Sequence, residues 1–561
     1  MLSCLKPLGG LVPPITALLR QAGVTKDKAA DYDAAVAVII SFIMLCCICS
    51  SRLIPAAAGA ATPTTAVVPL ERPKTEPLVV PLLQQARFQN GYAPYIVTVD
   101  LPEGNWAQII LDWTGSVKGV QYDRFYTFWV GDCQILRGTT PEPTAEGITW
   151  HVEKDVTEYA SALRGTKRIT VYLPNWVTSD YTGVYAIDAT LSFYPDDDDH
   201  PPAVTPDTIV AITDNPLIPD DLRFTQAASR QGRRITIPHG VYGATLQLYS
   251  TPHAADEFWW TQADAWREIR VYLDDLLVGV VWPTPYIYTG GINPRLWWGL
   301  PAVSTWNIMP YELDLTPFLG LLSGERNLEI EFIGIQDHWL TSAMLLLKTS
   351  PQPITGNIER HDLTPMQTMP DGAKQRTFTV KGYIDTTEGR IDHELVQLLS
   401  FKRTQTIDST GTKQIHQESA THTTLTVRTA QSSGTAAGEG ETVTHHVDNK
   451  QSYVLVAELP QKTASGQAAN MRKTVVRLAL ERERLALSTH NDVITAQATS
   501  FYQDQVHSQV TEAWLGWGWS SVSQAEQTLK FVEEPGRCYQ RTLKTFDKQL
   551  IYDDASNTCA Y

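Results

Sequence analysis

The sequence predicts an all-β protein built of antiparallel sandwich or jelly-roll units, with a further antiparallel β-rich region after them. Three observations predict it. Apolar residues alternate with polar ones at period two, as where Ile148, Trp150 and Val152 face away from Thr149, His151 and Glu153. Turn residues punctuate these runs, and 34 prolines and 35 glycines supply many turns. A hydrophobic content of 43%, with 16 tryptophans, allows well-buried cores.

Residues 1–33 form a mixed, polar leader without lasting periodicity. Residues 34–51, AAVAVIISFIMLCCICSS, are almost wholly apolar and read as a signal-peptide core or a signal-anchor helix. Ala58-Gly59-Ala60 offers a cleavage pattern. If the helix is kept, Lys6, Arg20, Lys26 and Lys28 before it hold the N-terminus in the cytosol and place the body in the lumen or outside. The expectation is therefore a secretory-pathway protein, secreted or held by a single-pass membrane anchor. Residues 52–80 read as an Ala/Pro/Thr-rich linker.

The first β unit is expected over 81–195. Its strand candidates are Tyr95–Val99, Trp106–Trp113, Phe125–Val130, Gly147–Val152, Arg168–Leu173 and Tyr185–Phe193. Residues 196–222 read as an acidic, Pro-rich linker. Its Asp196–Asp199 run with His200 offers oxygen ligands to a cation such as Ca²⁺, but reads first as solvated, self-repelling chain. The second unit spans 223–350, with alternation at Leu246 and Leu248, at Ile269, Val271 and Leu273, and at Leu328, Ile330 and Phe332. Its aromatic loop, Trp282 to Trp306, reads either as a sugar-stacking surface or as a loop folded on its own tryptophans. The third region, 351–561, is Thr/Gln/His-rich, and reads as a largely exposed antiparallel sheet with a Ser/Gly/Ala loop at Ser432–Glu441. Trp517 and Trp519 share one strand face there, as core.

A net charge of −16 argues against nucleic acid as a partner, since binding it needs a basic face. Seven cysteines are present, and only Cys133, Cys538 and Cys559 lie in the body. Cys538 and Cys559 can close a C-terminal loop in an oxidising compartment, while Cys133 reads as a small buried apolar residue. The chain carries no HExxH, GxSxG or Walker pattern, and its adjacent His445 and His446 point to opposite faces of a strand. Neither a metal nor a cofactor is called for. Carboxylate chemistry with water remains.

The residues around which that chemistry is organised begin with Asp123-Arg124, just before the strand-like run Tyr126–Val130. Alone, the pair reads as a structural ion pair or as a tuned acid or base. Asp123-Arg124, Ile135-Leu136-Arg137, Pro141-Glu142-Pro143-Thr144 and Val152–Thr157 form one block; Asp256-Glu257-Phe258-Trp259 forms a second. A third runs from Trp282 through Asn293-Pro294 to Trp297-Trp298. In that order they resemble the acidic plant and fungal-type glycoamidases, the peptide-N4-(N-acetyl-β-glucosaminyl)asparagine amidase A family. The resemblance covers roughly Pro81 to Lys348.

The resemblance implies two adjacent jelly rolls with the site between them, and hydrolysis of the amide joining GlcNAc to asparagine in N-glycopeptides or N-glycoproteins. It implies Asp123 as general acid/base, Arg124 holding that carboxylate ionised, and Glu257 meeting the sugar–amide junction from the second unit. The third carboxylate of the bacterial glycoamidases has no counterpart at Leu173-Pro174-Asn175-Trp176, which leaves Asn175 as a substitute that cannot titrate. Glu142, Trp259, Trp282, Tyr286, Asn293 and Trp297 are the further candidates for substrate contact. Two other readings stand beside this one: an inactive carbohydrate-binding jelly-roll protein, and a two-carboxylate glycoside hydrolase.

Overall fold

The computed structural model describes residues 62–212, 221–352, 354–387, 389–431, 441–460, 471–514, 519–534 and 536–559. The apolar run at 34–51, the Ala58-Gly59-Ala60 pattern, positions 432–440 of the Ser/Gly/Ala loop and Trp517 lie outside them. Among the described residues no helix is long and apolar enough to cross a membrane.

The first unit is a pair of four-stranded antiparallel sheets. One runs in the order Leu78–Phe88, Val184–Tyr194, Gln108–Lys118, Ile148–Asp155. The other runs Tyr95–Leu101, Gly165–Tyr172, Phe125–Val130, Cys133–Thr139. Period two does the sorting: Tyr185, Ile187, Ala189, Leu191 and Phe193 all point inward from one strand. They meet Trp113, Tyr126, Phe128 and Val171 in one core. Burial of each such aliphatic side chain contributes roughly 1.5–3 kcal/mol. Strands Phe125–Val130 and Cys133–Thr139 are buried on both faces, because their outer face packs on the second unit. Cys133 is buried and free there.

The second unit repeats the two-sheet plan. Thr208–Ile212, His338–Thr349, Val241–His253 and Tyr311–Asp314 form one sheet, with Leu222–Thr225 also on His338–Thr349. Arg230–Ile237, Gly324–Ile333, Glu268–Leu273 and Leu276–Val281 form the other. The alternating Leu246, Leu248, Ile269, Val271, Leu328, Ile330 and Phe332 fill the core between them. Thr208–Ile212 was expected in the linker, yet it pairs antiparallel with Ala343–Leu347 and belongs to the sheet. The acidic run before it closes on itself. The Asp197 carboxylate accepts the N–H groups of Lys74 (2.6 Å), Asp199 (2.9 Å) and His200 (2.8 Å), which holds its pKa below the usual range.

The two units meet through buried polar groups. Arg137 lies at full burial, ion-paired with Asp221, and donates to Thr251 Oγ1 (3.0 Å) and the Leu340 carbonyl (2.9 Å). Lys154 Nζ donates to the Tyr249 hydroxyl (2.7 Å), and Tyr159 donates to Gln247 Oε1 (2.8 Å).

The third region is a single 11-stranded antiparallel sheet: Thr355–Leu363 and Gln367–Thr368 both pair with Lys374–Thr386, and from there to Gln549–Ser556 consecutive strands lie side by side. It was expected to be largely exposed. Instead Phe378, Val380, Leu395, Leu399, Leu455 and Leu478 join the core of the second unit, so one face is covered. Cys538 and Cys559 form a disulfide at its last edge.

The end of the expected linker is a strap. Thr64 N–H donates to the Gly299 carbonyl (3.1 Å), Ala66 N–H to Gln527 Oε1 (2.7 Å), and Arg537 to the Pro69 carbonyl (2.7 Å). Arg72 then reaches Glu153 (2.6 Å). Its composition has no strand period, but isolated hydrogen bonds tie it across the C-terminal sheet and the first unit.

Candidate active site

Asp123 ends the loop that leads into the strand Phe125–Val130, and its neighbours are pinned on both sides. The Tyr185 hydroxyl donates to the Tyr122 carbonyl (2.6 Å). Arg124 N–H donates to Thr140 Oγ1 (2.9 Å), and Thr140 N–H returns to the Arg124 carbonyl (2.7 Å). The Asp123 carboxylate receives the Gly290 N–H from the aromatic loop of the second unit. Burial raises its pKa against that hydrogen bond and against the Arg124 charge. Arg124 itself is bonded to Gln121 and, through Nε, to Asn175 Oδ1 (3.3 Å). It acts on Asp123 as a nearby charge rather than through an ion pair.

Gly290 draws a second carboxylate into the site. A side-chain carbon at this position would lie 2.6 Å from Glu142 Oε2 and closer still to Asp123 Oδ1. Both acids therefore share the space that glycine leaves open. Thr289 fixes the approach by donating to the Thr140 carbonyl. Glu142 is partly buried, and its pKa is pushed up to about 7, first by burial and then by the charge of Asp123.

Glu257 comes from the second unit on a tight turn, with its N–H on the Ala254 carbonyl (3.1 Å). Ala254 takes a φ of 54°, a left-handed conformation that costs an alanine energy and that the surroundings must hold. The fully buried Asp256 does so. It accepts Arg267 (3.0 Å) and the N–H groups of Gln336 (2.9 Å) and Asp337 (2.8 Å). Glu257 is also pushed up to about 7, by burial and then by Asp123. Tyr288 packs beside this group, its hydroxyl on the Pro252 carbonyl (2.5 Å), and feels the charges of both Glu257 and Asp123. The site thus holds one hydrogen-bonded aspartate and two glutamates that keep their protons up to neutral pH. This arrangement can accept a proton from water and give one to a leaving group.

A family model described as peptide N-acetyl-beta-D-glucosaminyl asparaginase amidase A matches residues 68–360. The chain belongs to this family. A curated relative, peptide-N4-(N-acetyl-beta-glucosaminyl)asparagine amidase A of Prunus dulcis, is 29% identical over 400 residues, covering 62% of this chain and 70% of the relative. Among solved structures, one of PNGF-II overlaps with a TM-score of 0.38 at 15% identity, over 49% of this chain and 65% of that one. PNGase F of Flavobacterium meningosepticum overlaps with a TM-score of 0.32 at 13% identity, over 49% of this chain and 96% of that one. These structural overlaps are loose.

Within this amidase A chain, several residues expected to touch substrate lie elsewhere. Trp259 is 1% exposed and packs on Arg267 and Trp339 in the core. Trp282 is buried with its Nε1 on Glu268 Oε2 (2.9 Å), and Trp297 is buried with its Nε1 on the Gly291 carbonyl (3.2 Å). Tyr286 is buried with its hydroxyl on the Met309 carbonyl (3.1 Å). The aromatic loop is therefore folded on its own rings, with the polar tips of Trp282, Tyr286 and Trp297 bonded inside. Asn175 is fully buried and donates to the Phe88 (2.9 Å) and Gly183 (3.0 Å) carbonyls, so it holds Arg124 instead of meeting substrate. Asn293 remains half-buried and caps the turn at Arg295 (3.1 Å), on a groove beside Glu142.

The exposed aromatic surface comes from elsewhere. Tyr122 and Tyr181 touch through their hydroxyls (3.1 Å), and Tyr92 stands edge-on to Trp176 at 4.3 Å, with Arg124 over the Trp176 ring. All four rings are exposed, and Tyr122 adjoins Asp123. Sequence reasoning missed this cluster and missed Gly290, whose value shows only once Asp123 and Glu142 lie against it. One other acidic group, Asp112, His151 and Glu153, brings its ligand atoms within 4.8 Å, but it is superficial and Arg72 already occupies Glu153.

Gly290→Ala tests the approach directly. Its methyl group displaces one or both carboxylates. Activity should fall at least about 100-fold, the lower bound for loss of one acid/base group, while the circular dichroism spectrum stays unchanged.

Proposed function

We propose that this amidase A chain is a glycoamidase that hydrolyses the β-aspartylglucosaminyl amide of N-glycopeptides and N-glycoproteins, using Asp123, Glu142 and Glu257. The meeting of Asp123 and Glu142 at Gly290, with Glu257 of the second unit near enough to feel the charge of Asp123, in a chain of this family, is the observation that carries the reading. Asp123 takes a proton from water as its oxygen bonds to the amide carbonyl carbon. Glu142 donates a hydrogen bond to the oxyanion that develops. Glu257 gives its proton to the nitrogen as the C–N bond breaks. The products are an aspartyl peptide and a glycosylamine. Arg124 favours the charged form of Asp123. The exposed rings of Tyr92, Tyr122, Trp176 and Tyr181 offer flat apolar faces to the glycan. The reading calls on no cofactor. The Cys538–Cys559 disulfide supports a secretory, oxidising location.

The pH dependence follows from the two glutamates. Activity should fall as pH rises through about 7, where Glu257 and Glu142 lose their protons, and should fall again on the acid side as Asp123 gains one. The stability sign is the same for both glutamates. Their folded pKa values lie above the ordinary 4.5, so the folded chain binds more protons between pH 4.5 and 7 and stability declines over that window. Glu257→Gln should therefore unfold later than the parent protein at pH 8, by on the order of 1–3 kcal/mol, as read by urea denaturation.

Mass spectrometry of one defined N-glycopeptide after incubation tests the function. Peptide carrying Asp at the glycan site supports it. Intact glycopeptide that still binds favours a carbohydrate-binding protein, and peptide retaining one GlcNAc favours a glycosidase.

A further inference from the structure

A groove of about 320 Å³ opens beside Glu142, within the size range of small-ligand clefts. Three parts of the chain wall it: the loop Glu142–Glu146 of the first unit, the turn Asn293–Trp298 of the second, and Lys548 of the C-terminal sheet. Lys548 stands on the tight turn between Arg537–Phe546 and Gln549–Ser556, the hairpin that the Cys538–Cys559 disulfide secures. Asp547, before it, takes a φ of 50° and donates its N–H to the Ser523 carbonyl (2.7 Å), which fixes the turn on the sheet.

The sheet is fitted to the second-unit turn and does not merely lie near it. Arg295 is bonded to Ser521 and ion-paired with Glu512 (3.8 Å). Gly299 lies so close that a side-chain carbon there would stand 2.7 Å from the Cβ of Thr545. Lys548 Nζ is held 4.5 Å from the centre of the half-exposed Trp298 ring. It makes no ion pair within 4.0 Å among the described residues, and its charge helps hold the exposed Glu146 ionised, after that residue's own N–H and the Thr144 hydroxyl. Arg295 is already committed to Glu512 and Ser521. Among the described residues, Lys548 is thus the groove cation that makes no ion pair within 4.0 Å.

The charges differ on the two sides of Asp123. Toward Tyr122 the surface is aromatic; toward Glu142 it is a groove with acidic and basic walls and one available ammonium group. Sugar rings suit the first surface. A peptide, with its carbonyls and charged side chains, suits the second. We propose that the C-terminal sheet completes the substrate groove, and that Lys548 binds the peptide flank of the glycosylated asparagine and favours an acidic side chain there. The inference rests on the glycoamidase reading for the identity of the substrate, and on the groove itself for the role of Lys548.

The test uses the full chain and three glycopeptides that share one glycan and carry Asp, Ala or Lys two residues from the glycosylated Asn. A fourth carries the Ala flank on a glycan trimmed to two sugars. Affinity is read by fluorescence anisotropy of the labelled peptides, beside kcat and KM. Lys548→Ala should weaken binding of the Asp-flank peptide about tenfold, as expected for one charge-assisted hydrogen bond, and leave kcat unchanged. Lys548→Glu should reverse the order, with the Lys-flank peptide binding best. The melting temperature of both variants should match the parent. Equal losses on all flanks, no loss, or a loss that follows glycan length would overturn the proposal. Absence of turnover in the parent protein would sink the glycoamidase reading, and the anisotropy series would still decide the role of Lys548.

Discussion

Asp123→Asn and Glu257→Gln should each lower turnover of an N-glycopeptide by roughly 10²–10⁴ while substrate binding persists. The two acids reach the site from different units, so neither unit alone should show activity. Their losses should not add. Asp123 helps hold the proton on Glu257 by its charge, so once one is gone the other no longer has its working pKa. In Asp123→Asn the Glu257 carboxyl should titrate below 7, because a repelling charge has left. Infrared titration of the carboxyl band in this variant reads that shift without requiring catalysis. Glu142→Gln should be milder than either, since a glutamine amide still offers a hydrogen bond to the oxyanion.

Arg137→Ala should destabilise the chain by about 3–5 kcal/mol, because it removes one member of a buried ion pair while Asp221, the other, stays buried. The same guanidinium bonds Thr251 and the Leu340 carbonyl, so the loss also loosens the contact between the two β units. Glu257 lies six residues beyond Thr251, and activity should fall with the interface. The urea midpoint and the glycopeptide assay measure the two consequences. A paired replacement, Arg137→Met with Asp221→Leu, should regain most of the stability, because it removes both charges together. If Arg137→Ala alone melts like the parent, the interface does not depend on this pair.

Much of the β architecture was legible because its strands alternate cleanly. Leu246 with Leu248, Ile269 with Val271, and Leu328 with Ile330 were all inward-facing as the period required. Strand Thr208–Ile212 was hidden by its brevity and by the prolines before it. The cover on the C-terminal sheet was hidden too, because its buried face mixes Leu395 and Leu399 with the polar Gln397. At the site, Asp123 stood out as half of a charged pair just before a strand, whereas Glu142 and Glu257 entered only through the resemblance to the amidase A family. The pairing of Glu142 with Asp123 did not, since it depends on a missing side chain at Gly290. The tryptophan-rich loop misled for a physical reason. Large rings gain most by burial, and the indole N–H groups of Trp282 and Trp297 find partners inside. The exposed rings come from three separate connections, at Tyr92, at Tyr122, and at Trp176 with Tyr181, where no local pattern marks them.

Hydrolysis of a defined N-glycopeptide in ¹⁸O-labelled water tests the central claim most directly. Water attack on the side-chain amide places one heavy oxygen in the new aspartate carboxyl group and releases an unlabelled glycosylamine, and both products should vanish in Asp123→Asn and Glu257→Gln. Heavy oxygen on the released sugar, with the asparagine amide intact, would contradict the account.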